Sequence, residues 1–277
     1  MAGLTHRQTE ILNIARASGR VMVEDLARRF EVSAQTIRKD LNDLCEQRSL
    51  TRIHGGAIIA SGVENLAYEA RRFVAAEEKK AIGAAAAALI PNGCSLFINI
   101  GTTTEEVASA LTSHEDLLVI TNNLNVAMLL YRYPRIEVVV AGGAVRRADG
   151  AVVGSTATQL IGQFKVDHAI IGASAIDEEG ALLDFDYREV QVAQAIIANA
   201  RSVILVADST KFTRSAPVRI AHISQIQTFV TDAALPAGLA NICHSRGIQV
   251  IEAMPQPSGD IDEAEASGPP SPVVRLR

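Results

Sequence analysis

The sequence predicts an α/β protein in two parts: an N-terminal winged helix-turn-helix, then a doubly wound, mostly parallel α/β domain. Three helical patterns followed by a hairpin around Gly55 and Gly56 predict the first part. Continuous apolar runs that alternate with helical stretches predict the second, because the strands of a parallel sheet are buried on both faces. A length of 277 residues suits two domains better than one.

The N-terminal elements follow from apolar spacing. Residues 5–18 and 23–30 each place apolar side chains on one helical face, and a third helix is expected from Ala34 to about Gln47, with Ser33 as its N-cap. The run 50–59 is expected to form the hairpin. We therefore predict a winged helix-turn-helix over 1–59, a linker over 60–76, an α/β domain over 77–254 and a disordered tail over 255–277, which is rich in Pro, Ser, Asp and Glu.

Seven apolar runs are expected to form the strands of the larger domain. Helices are expected over 104–112, 124–132, 155–163 and 187–199, one after each of the first four runs, and a further helix is expected over 77–90 before the first strand. The runs are SLFINI, LLVIT, IEVVVA, DHAIIGAS, SVILVAD, TFVT and QVIEA.

Composition argues against some kinds of site and indicates a cellular compartment. The three cysteines are scattered without CxxC spacing, which argues against a disulfide framework or a zinc site and suits a reducing cytosol. With neither a signal-peptide pattern nor a long apolar stretch, the chain is expected to be cytoplasmic, with no membrane partner. The formal net charge is -5, yet residues 1–54 hold nine Lys and Arg against seven Asp and Glu. The N-terminal part, called the head below, is thus only mildly basic. If it binds DNA, as helix-turn-helix domains do, its affinity must come from the placement of its cations and from oligomerisation.

The third helix carries the predicted DNA-reading surface. A recognition helix presents the polar residues of its N-terminal half to base edges in the major groove. There an Arg forks onto guanine, a Gln onto adenine, and a Lys neutralises a phosphate. The alternative is a solvated polar face on a small helical module, and Asp40 is expected to pair with a nearby basic residue. The candidate DNA-binding residues are Ser33, Gln35, Thr36, Arg38 and Lys39 on or beside the helix, and Arg52 and His54 on the hairpin.

Several predicted strands end in small or polar loops, and these loops are expected to meet at one edge of the sheet. Glycine lets backbone amides approach a ligand, Thr hydroxyls donate to it, and a helix N-terminus favours an anion. The alternative for each loop is ordinary helix capping. The acidic group of Asp184, Asp186, Tyr187 and Glu189 either caps the next helix or binds the hydroxyls of a polyol phosphate. The candidate ligand residues are Gly101, Thr102, Thr103, Thr104, Thr121, Asn122, Asn123, Gly142, Gly143, Asp186, Tyr187, Glu189, Asp208 and Lys211.

The run VSAQTIRKDLNDL, followed by RIHGGA, closely resembles the N-terminal signature of the DeoR family of bacterial repressors, and the resemblance extends to near Ala253. It implies a repressor that binds double-stranded operator DNA as a homo-oligomer, a dimer or a tetramer, and senses a small phosphorylated metabolite. The stretches FINIGTT, TNNLNVA, the AGG loop and LLDFDYREV are most similar to members that respond to glycerol 3-phosphate. Glycerol 3-phosphate is therefore the favoured ligand, and another sugar phosphate is the alternative.

The larger domain of this family is similar in fold to ribose-5-phosphate isomerase, which makes a sugar-phosphate isomerase the rival function. That enzyme family carries an Asp-Gly-Ala-Asp-Glu motif where this chain has Ile171-Gly172-Ala173-Ser174-Ala175, so both aspartates and the glutamate are missing. Glu189 alone keeps a base-like position. Because an isomerase needs a general base and electrophilic groups together, the sequence favours binding without turnover. We expect no enzyme activity, no catalytic residues, no metal and no cofactor.

Overall fold

The computed structural model describes residues 4–18, 20–46, 49–53, 55–59 and 68–255. Three helices and a three-stranded antiparallel sheet of order β1-β3-β2 form the N-terminal part. The elements are α1 (His6–Ser18), β1 (Arg20–Met22), α2 (Val23–Arg29), α3 (Ala34–Glu46), β2 (Leu50–Ile53) and β3 (Gly56–Ile59). The winged helix-turn-helix predicted from the sequence is confirmed.

Apolar residues at helical spacing build the core of this head. On α3, Ile37, Leu41 and Leu44 are fully buried and pack with Ile11 of α1. The strand β1 was not predicted, because three residues are too short to show a periodic pattern. It forms through pairing with β3, where Val21 lies opposite Ala57.

The strands of the larger part fall into one large sheet and smaller antiparallel pieces. The large sheet contains β4 (Ser95–Ile98), β5 (Leu117–Thr121), β6 (Ile136–Val140), β9 (Val166–Ile171), β12 (Ala200–Val206), β14 (Thr228–Thr231) and β15 (Gln249–Glu252). The smaller pieces contain β7 (Ala144–Val145), β8 (Val152–Val153), β10 (Ala175–Ile176), β11 (Ala181–Asp184) and β13 (Val218–His222).

Seven helices accompany these strands within the described residues: α4 (Tyr68–Phe73), α5 (Ala76–Ala87), α6 (Thr102–Ala110), α7 (Leu124–Leu130), α8 (Ser155–Ile161), α9 (Tyr187–Ala198) and α10 (Ala237–Arg246). The first of these lies in the segment expected to be a linker. The others match the predicted helical stretches, apart from α10.

The seven strands of the large sheet are the seven runs predicted from the sequence, and all of them pair in parallel. Their order is β15-β14-β12-β9-β4-β5-β6. The chain moves from β4 outward to β6 and then returns to place β9 on the other side of β4. That reversal is a topological switch point, where ligands of open α/β sheets bind at the carboxyl ends of the strands.

Helices cover both faces of the sheet, as the continuous apolar runs predicted. Phe97 of β4 packs in the cluster that contains α8, α9 and α10, whereas its neighbours Leu96 and Ile98 pack in the cluster of α5, α6 and α7. On the second face, α5 and α6 approach so closely that a Cβ on Gly83 would lie 2.7 Å from the backbone carbonyl carbon of Glu106. Glycine at this position permits the contact between the two helices.

A three-stranded antiparallel sheet of order β10-β11-β13 is a difference from the prediction. The run DHAIIGAS was expected to be one strand, but β9 ends at Ile171 and Gly172–Ser174 continue as a loop. The strand β10 has only two residues, and the charged residues of β11 and β13 leave no continuous apolar run to predict. The pairing of β11 with β13 joins residues about forty positions apart, which a local pattern does not show. The predicted tail from residue 256 onward and residues 60–67 of the linker lie outside the described residues.

Candidate functional sites

The N-terminal half of α3 presents a polar, basic surface. Gln35, Arg38 and Lys39 are exposed, while Ile37 between them faces the core. Arg52 is exposed on β2, and its Nη1 donates to the carbonyl oxygen of Gly56 at 3.3 Å. The structure thus places these four side chains where a nucleic acid can reach them; His54 lies outside the described residues.

The remaining predicted residues of this surface serve the local fold. The Oγ of Ser33 accepts the N–H of Thr36 at 3.2 Å, and the two hydroxyl oxygens are 2.9 Å apart, which is an N-cap for α3. Asp40 is buried and pairs with Arg7 of α1 at 2.5 Å. That ion pair, with the hydrogen bond from Gln8 to Asp43, sets the position of α3 against α1.

A cavity lies where the carboxyl ends of β4, β9 and β12 meet, at the switch point of the sheet. Its walls come from α4, the first turn of α6, the loops after β9 and β11, and the segment after β12. The lining residues are Tyr68, Arg71, Ile100, Gly101, Thr102, Thr103, Thr104, Glu105, Asp149, Gly172, Ala173, Ser174, Asp184, Phe185, Glu189, Val206, Lys211 and Arg214.

The first turn of α6 forms one wall. Gly101 precedes the helix with φ of 145°, a backbone region that favours glycine. The hydroxyl oxygen of Thr104 lies 2.7 Å from the carbonyl oxygen of Asn99 and 2.8 Å from that of Gly101, so its proton is used inside the loop. The first N–H groups of a helix have no partner within the helix and carry its positive dipole end. This wall is suited to an anion.

Three cationic side chains line the same cavity: Arg71, Lys211 and Arg214. Lys211 is 7% exposed, and its Nζ is 3.6 Å from Asp208 Oδ2. Burial lowers the pKa of Lys211 to about 7, although Asp208 opposes that shift. Burial alone would raise the pKa of Asp208, but Lys211 and Lys79 hold it below its usual value. Near neutral pH, Lys211 is therefore only partly protonated, whereas the neighbouring Asp208 stays ionised.

One arginine pairs with two acidic side chains that line the cavity, Asp149 and Glu189, and with Asp186, which lies outside it. Arg146 contacts Asp149 at 2.6 Å, Glu189 at 2.7 Å and Asp186 at 3.1 Å. Burial and the neighbouring Asp184 raise the pKa of Glu189 to about 8, against the opposing charge of Arg146. Asp184 accepts the hydroxyl proton of Ser174 at 2.8 Å. The cavity therefore combines cations, which can bind an anion, with carboxyl groups, which can bind hydroxyls.

Of the fourteen candidate ligand residues, six line this cavity: Gly101, Thr102, Thr103, Thr104, Glu189 and Lys211. The other eight do not. Thr121 donates its hydroxyl proton to the carbonyl oxygen of Ile98 at 2.6 Å, and Asn122 donates to that of Val152 at 3.2 Å. Asn123 caps α7 by accepting the N–H of Asn125 at 2.9 Å. The loop 121–123 therefore stabilises the ends of the neighbouring strands and the start of α7, and does not line the cavity.

The remaining candidates also lie outside the cavity. Gly142 and Gly143 are exposed after β6. Asp186 caps α9 and pairs with Arg188 at 2.8 Å, and Tyr187 is 63% exposed. Asp208 is buried behind Lys211 and accepts the N–H of Thr210 at 3.2 Å. For Asp186 and Asp208, the capping alternative describes the observed contacts.

Sequence reasoning missed several residues that line the cavity or organise it. Arg71 and Tyr68 lie in the segment expected to be a linker, and Arg214 follows a 3₁₀ turn of 209–213 that had no periodic signal. Arg146 and Asp149 lie between two-residue strands. Only the basic character of these segments gave a signal, and isolated arginines are common on protein surfaces.

The described part of the chain holds neither a membrane-spanning helix nor a cluster of metal-ligating side chains. None of its helices combines the length and apolar character that crossing a bilayer requires. The same residues contain no group of three or more His, Cys, Asp and Glu side chains arranged to hold a metal ion.

Both parts of the chain match known families. The DeoR-like helix-turn-helix domain matches residues 7–63, and the DeoR C terminal sensor domain matches residues 74–233. Among solved structures, ribose 5-phosphate isomerase A from Neisseria gonorrhoeae superposes with a TM-score of 0.37 and 16% identity, over 49% of this chain and 53% of that one.

Curated relatives match over nearly their whole length. The glycerol-3-phosphate regulon repressor of Escherichia coli is 43% identical over 89% of this chain and 98% of its own. The repressor of the same name from Haemophilus influenzae is 46% identical over 88% and 95%. The transcriptional repressor CsqR of Escherichia coli is 41% identical over 88% and 94%. These relatives are named as repressors and not as enzymes, and the chain belongs to the DeoR family of transcriptional repressors.

Proposed function

We propose that this repressor loses affinity for its operator when a small phosphorylated polyol, glycerol 3-phosphate in the first instance, binds the cavity at the switch point. The observation that carries the proposal is the joint presence of Arg71, Lys211 and Arg214 with Asp184 and Glu189 in that cavity. A polyol phosphate has an anion at one end and hydroxyl donors at the other. Cations and the α6 N-terminus suit the phosphate, and the carboxyl oxygens of Asp184 and Glu189 can accept hydrogen bonds from the hydroxyls.

The names of two relatives support glycerol 3-phosphate as the effector, since both are repressors of a glycerol-3-phosphate regulon. The alternative is a different sugar phosphate. It is favoured by the 41% identity to CsqR, whose name mentions no glycerol 3-phosphate and whose similarity is almost the same. The experiment must therefore compare effectors.

For the head, the proposal assigns Arg38 and Gln35 to base edges and Lys39 and Arg52 to phosphates, with Ser33 and Thr36 shaping the start of α3. His54 of the hairpin is included as a further DNA contact. We propose a homodimer or tetramer that pairs heads on spaced half-sites of double-stranded DNA in the cytoplasm. The head spans 1–59, the linker 60–76 and the sensor 77–254.

In this proposal, effector binding and operator binding are coupled because each favours a different arrangement of the heads in the oligomer. The effector relieves repression only as far as it binds more tightly to the arrangement that fits the operator poorly. Measured coupling of this kind amounts to roughly 5–150-fold in affinity.

A competition experiment on the full chain tests the proposal. A duplex selected by the protein from a random pool is titrated in gel shifts with glycerol 3-phosphate, glycerol, inorganic phosphate and ribose 5-phosphate. We expect release by glycerol 3-phosphate and none by glycerol, because the cations recognise the phosphate. Release by ribose 5-phosphate alone would replace the effector, and an inert panel would reject the cavity as the sensor site. Conversion of ribose 5-phosphate to a ketose by the pure protein would restore the isomerase alternative.

A further inference from the structure

The segment 68–75, which contains the short helix α4 and the two residues after it, contacts both parts of the molecule. Tyr68 and Arg71 line the cavity of the sensor domain. Three residues after Arg71, Val74 is buried in the hydrophobic core of the head, and Ala75 packs against the same core. A single stretch of eight residues thus joins the ligand cavity to the core that supports the recognition helix.

Tyr68 ties α4 to the wall of the cavity. Its hydroxyl donates to Glu105 Oε2 at 2.6 Å and accepts from Asn125 Nδ2 at 3.0 Å. Glu105 Oε1 accepts from Asn123 at 3.0 Å and from Asn125 at 2.9 Å. Glu105 belongs to the first turn and a half of α6. The hydrogen bond from Tyr68 therefore attaches α4 to the same end of α6 that lines the cavity.

Arg71 connects α4 to the charges of the cavity. Its Nη2 lies 3.3 Å from Asp149 Oδ2, and its buried Nε has no hydrogen-bond partner among the described residues. Burial would raise the pKa of Asp149, but Arg146, helped by Arg71, holds it below its usual value, so the carboxylate stays charged. A phosphate beside Lys211 and Arg214 would compete with Asp149 for this guanidinium.

The end of α4 is held by a buried cation. Lys79 of α5 is 1% exposed, and its Nζ donates to the carbonyl oxygen of Val74 at 2.6 Å and to that of Arg71. The next residue, Ala75, has φ of 51° and ψ of 46°, a left-handed conformation that is unfavourable for a residue other than glycine. The chain therefore turns sharply between the last head contact and the start of α5.

We propose that α4 is the coupling element of the repressor: Arg71 binds the phosphate of the effector, and its movement from Asp149 is passed through Val74 to the core of the head. The inference rests on the proposed function of the cavity. Tyr68 acts as a positioning residue that keeps α4 against α6, and the Lys79 contacts keep the end of α4 fixed to α5. The effector thereby changes the placement of the head without contacting it.

The test uses the full chain with Tyr68→Phe and Arg71→Met. Operator dissociation constants are measured without effector and with saturating glycerol 3-phosphate, saturation being set for each variant by calorimetry. Their ratio is the coupling factor. We expect Tyr68→Phe to lower it by about tenfold, the value of one hydrogen bond to a charged group. We expect Arg71→Met to bring it close to one.

Two matched variants serve as controls. Tyr131→Phe removes the same atom from an exposed tyrosine on the surface of the sensor domain. Arg201→Met removes an arginine that pairs with an aspartate, Asp167, at the start of β12, the opposite end of the sheet from the cavity. Both should keep the coupling factor of the wild type.

The outcomes distinguish failure of α4 as the coupling element from failure of the cavity as the effector site. If Arg71→Met weakens binding of glycerol 3-phosphate but keeps the saturating ratio, Arg71 is only a ligand contact and α4 is not the coupling element. The same conclusion follows if Tyr68→Phe behaves like Tyr131→Phe. If the wild-type chain itself does not bind glycerol 3-phosphate, or its ratio is one, the proposed function fails first. Coupling is reciprocal, so effector affinity measured with and without duplex must give the same factor.

Discussion

The head and the sensor domain carry their candidate sites in opposite ways. The head presents Gln35, Arg38 and Lys39 on one exposed helix face within five residues of sequence. The sensor gathers its cavity from residues between Tyr68 and Arg214, and most of them are partly or wholly buried. A site that must reach into a groove is local and exposed, whereas a site that must enclose a small anion needs walls from many elements.

This difference makes the two sites separable by mutation, and the largest effect is expected in the cavity. Arg214→Met should weaken glycerol 3-phosphate binding by roughly 2–5 kcal/mol, because it removes one partner of a poorly hydrated charge pair. Operator affinity without effector should stay unchanged. Calorimetry and gel shifts measure the two quantities. Arg219→Met, an exposed arginine on β13 outside the cavity, is the control, and equal losses in both variants would contradict the assignment.

The converse variant lies in the head. Arg38→Ala should cost roughly 1–3 kcal/mol in operator binding and relax base preference at one position, because a bidentate contact to guanine is lost. Effector affinity should not change. Affinities for a set of duplexes with single base changes test this. If all duplexes weaken equally, Arg38 contacts the backbone rather than a base.

A smaller effect should appear in the pH dependence of effector binding. The phosphate requires charged Lys211, whose pKa in the free protein is about 7, so affinity is highest below that value and falls as the pH rises. From pH 7 to pH 8 the protonated fraction drops by roughly fivefold, and affinity should follow. The ligand itself remains a dianion in this range, since phosphate esters have a second pKa near 6.

Glu189 also titrates near pH 8, and its deprotonation would weaken anion binding in the same direction. Glu189→Gln separates the two groups. If the loss of affinity between pH 7 and pH 8 persists in this variant, the buried lysines are responsible, Lys211 in the cavity together with Lys79, whose pKa burial lowers to about 8. If it vanishes, the glutamate carries the effect.

The smallest effect is expected at Lys39. Lys39→Ala should lower the slope of log affinity against log salt by roughly 0.9, the contribution of one neutralised phosphate on duplex DNA. Base preference should be retained. Titrations at several salt concentrations measure the slope, with Lys80→Ala, an exposed lysine of α5, as the control. An unaltered slope would exclude a phosphate contact at Lys39.

By itself, the sequence determined the winged head, the seven parallel strands and the Gly-Thr-Thr-Thr start of α6. Helical spacing and continuous apolar runs are local consequences of burial, so they can be read along the chain. Gly101–Thr104 were found because a strand followed by a glycine-led helix start is itself a local pattern.

Only the tertiary structure decided which polar loops share the cavity and which merely support it. Asn122 and Asp208 looked like ligand residues, yet their contacts lie behind the wall, while Arg71 and Arg214 reach the cavity from segments without any pattern. The physical reason is that a strand end specifies an edge of the sheet but not the direction in which a side chain leaves it. That direction depends on long-range packing, on ion pairs such as those of Arg146, and on where α4 crosses the open end of the sheet.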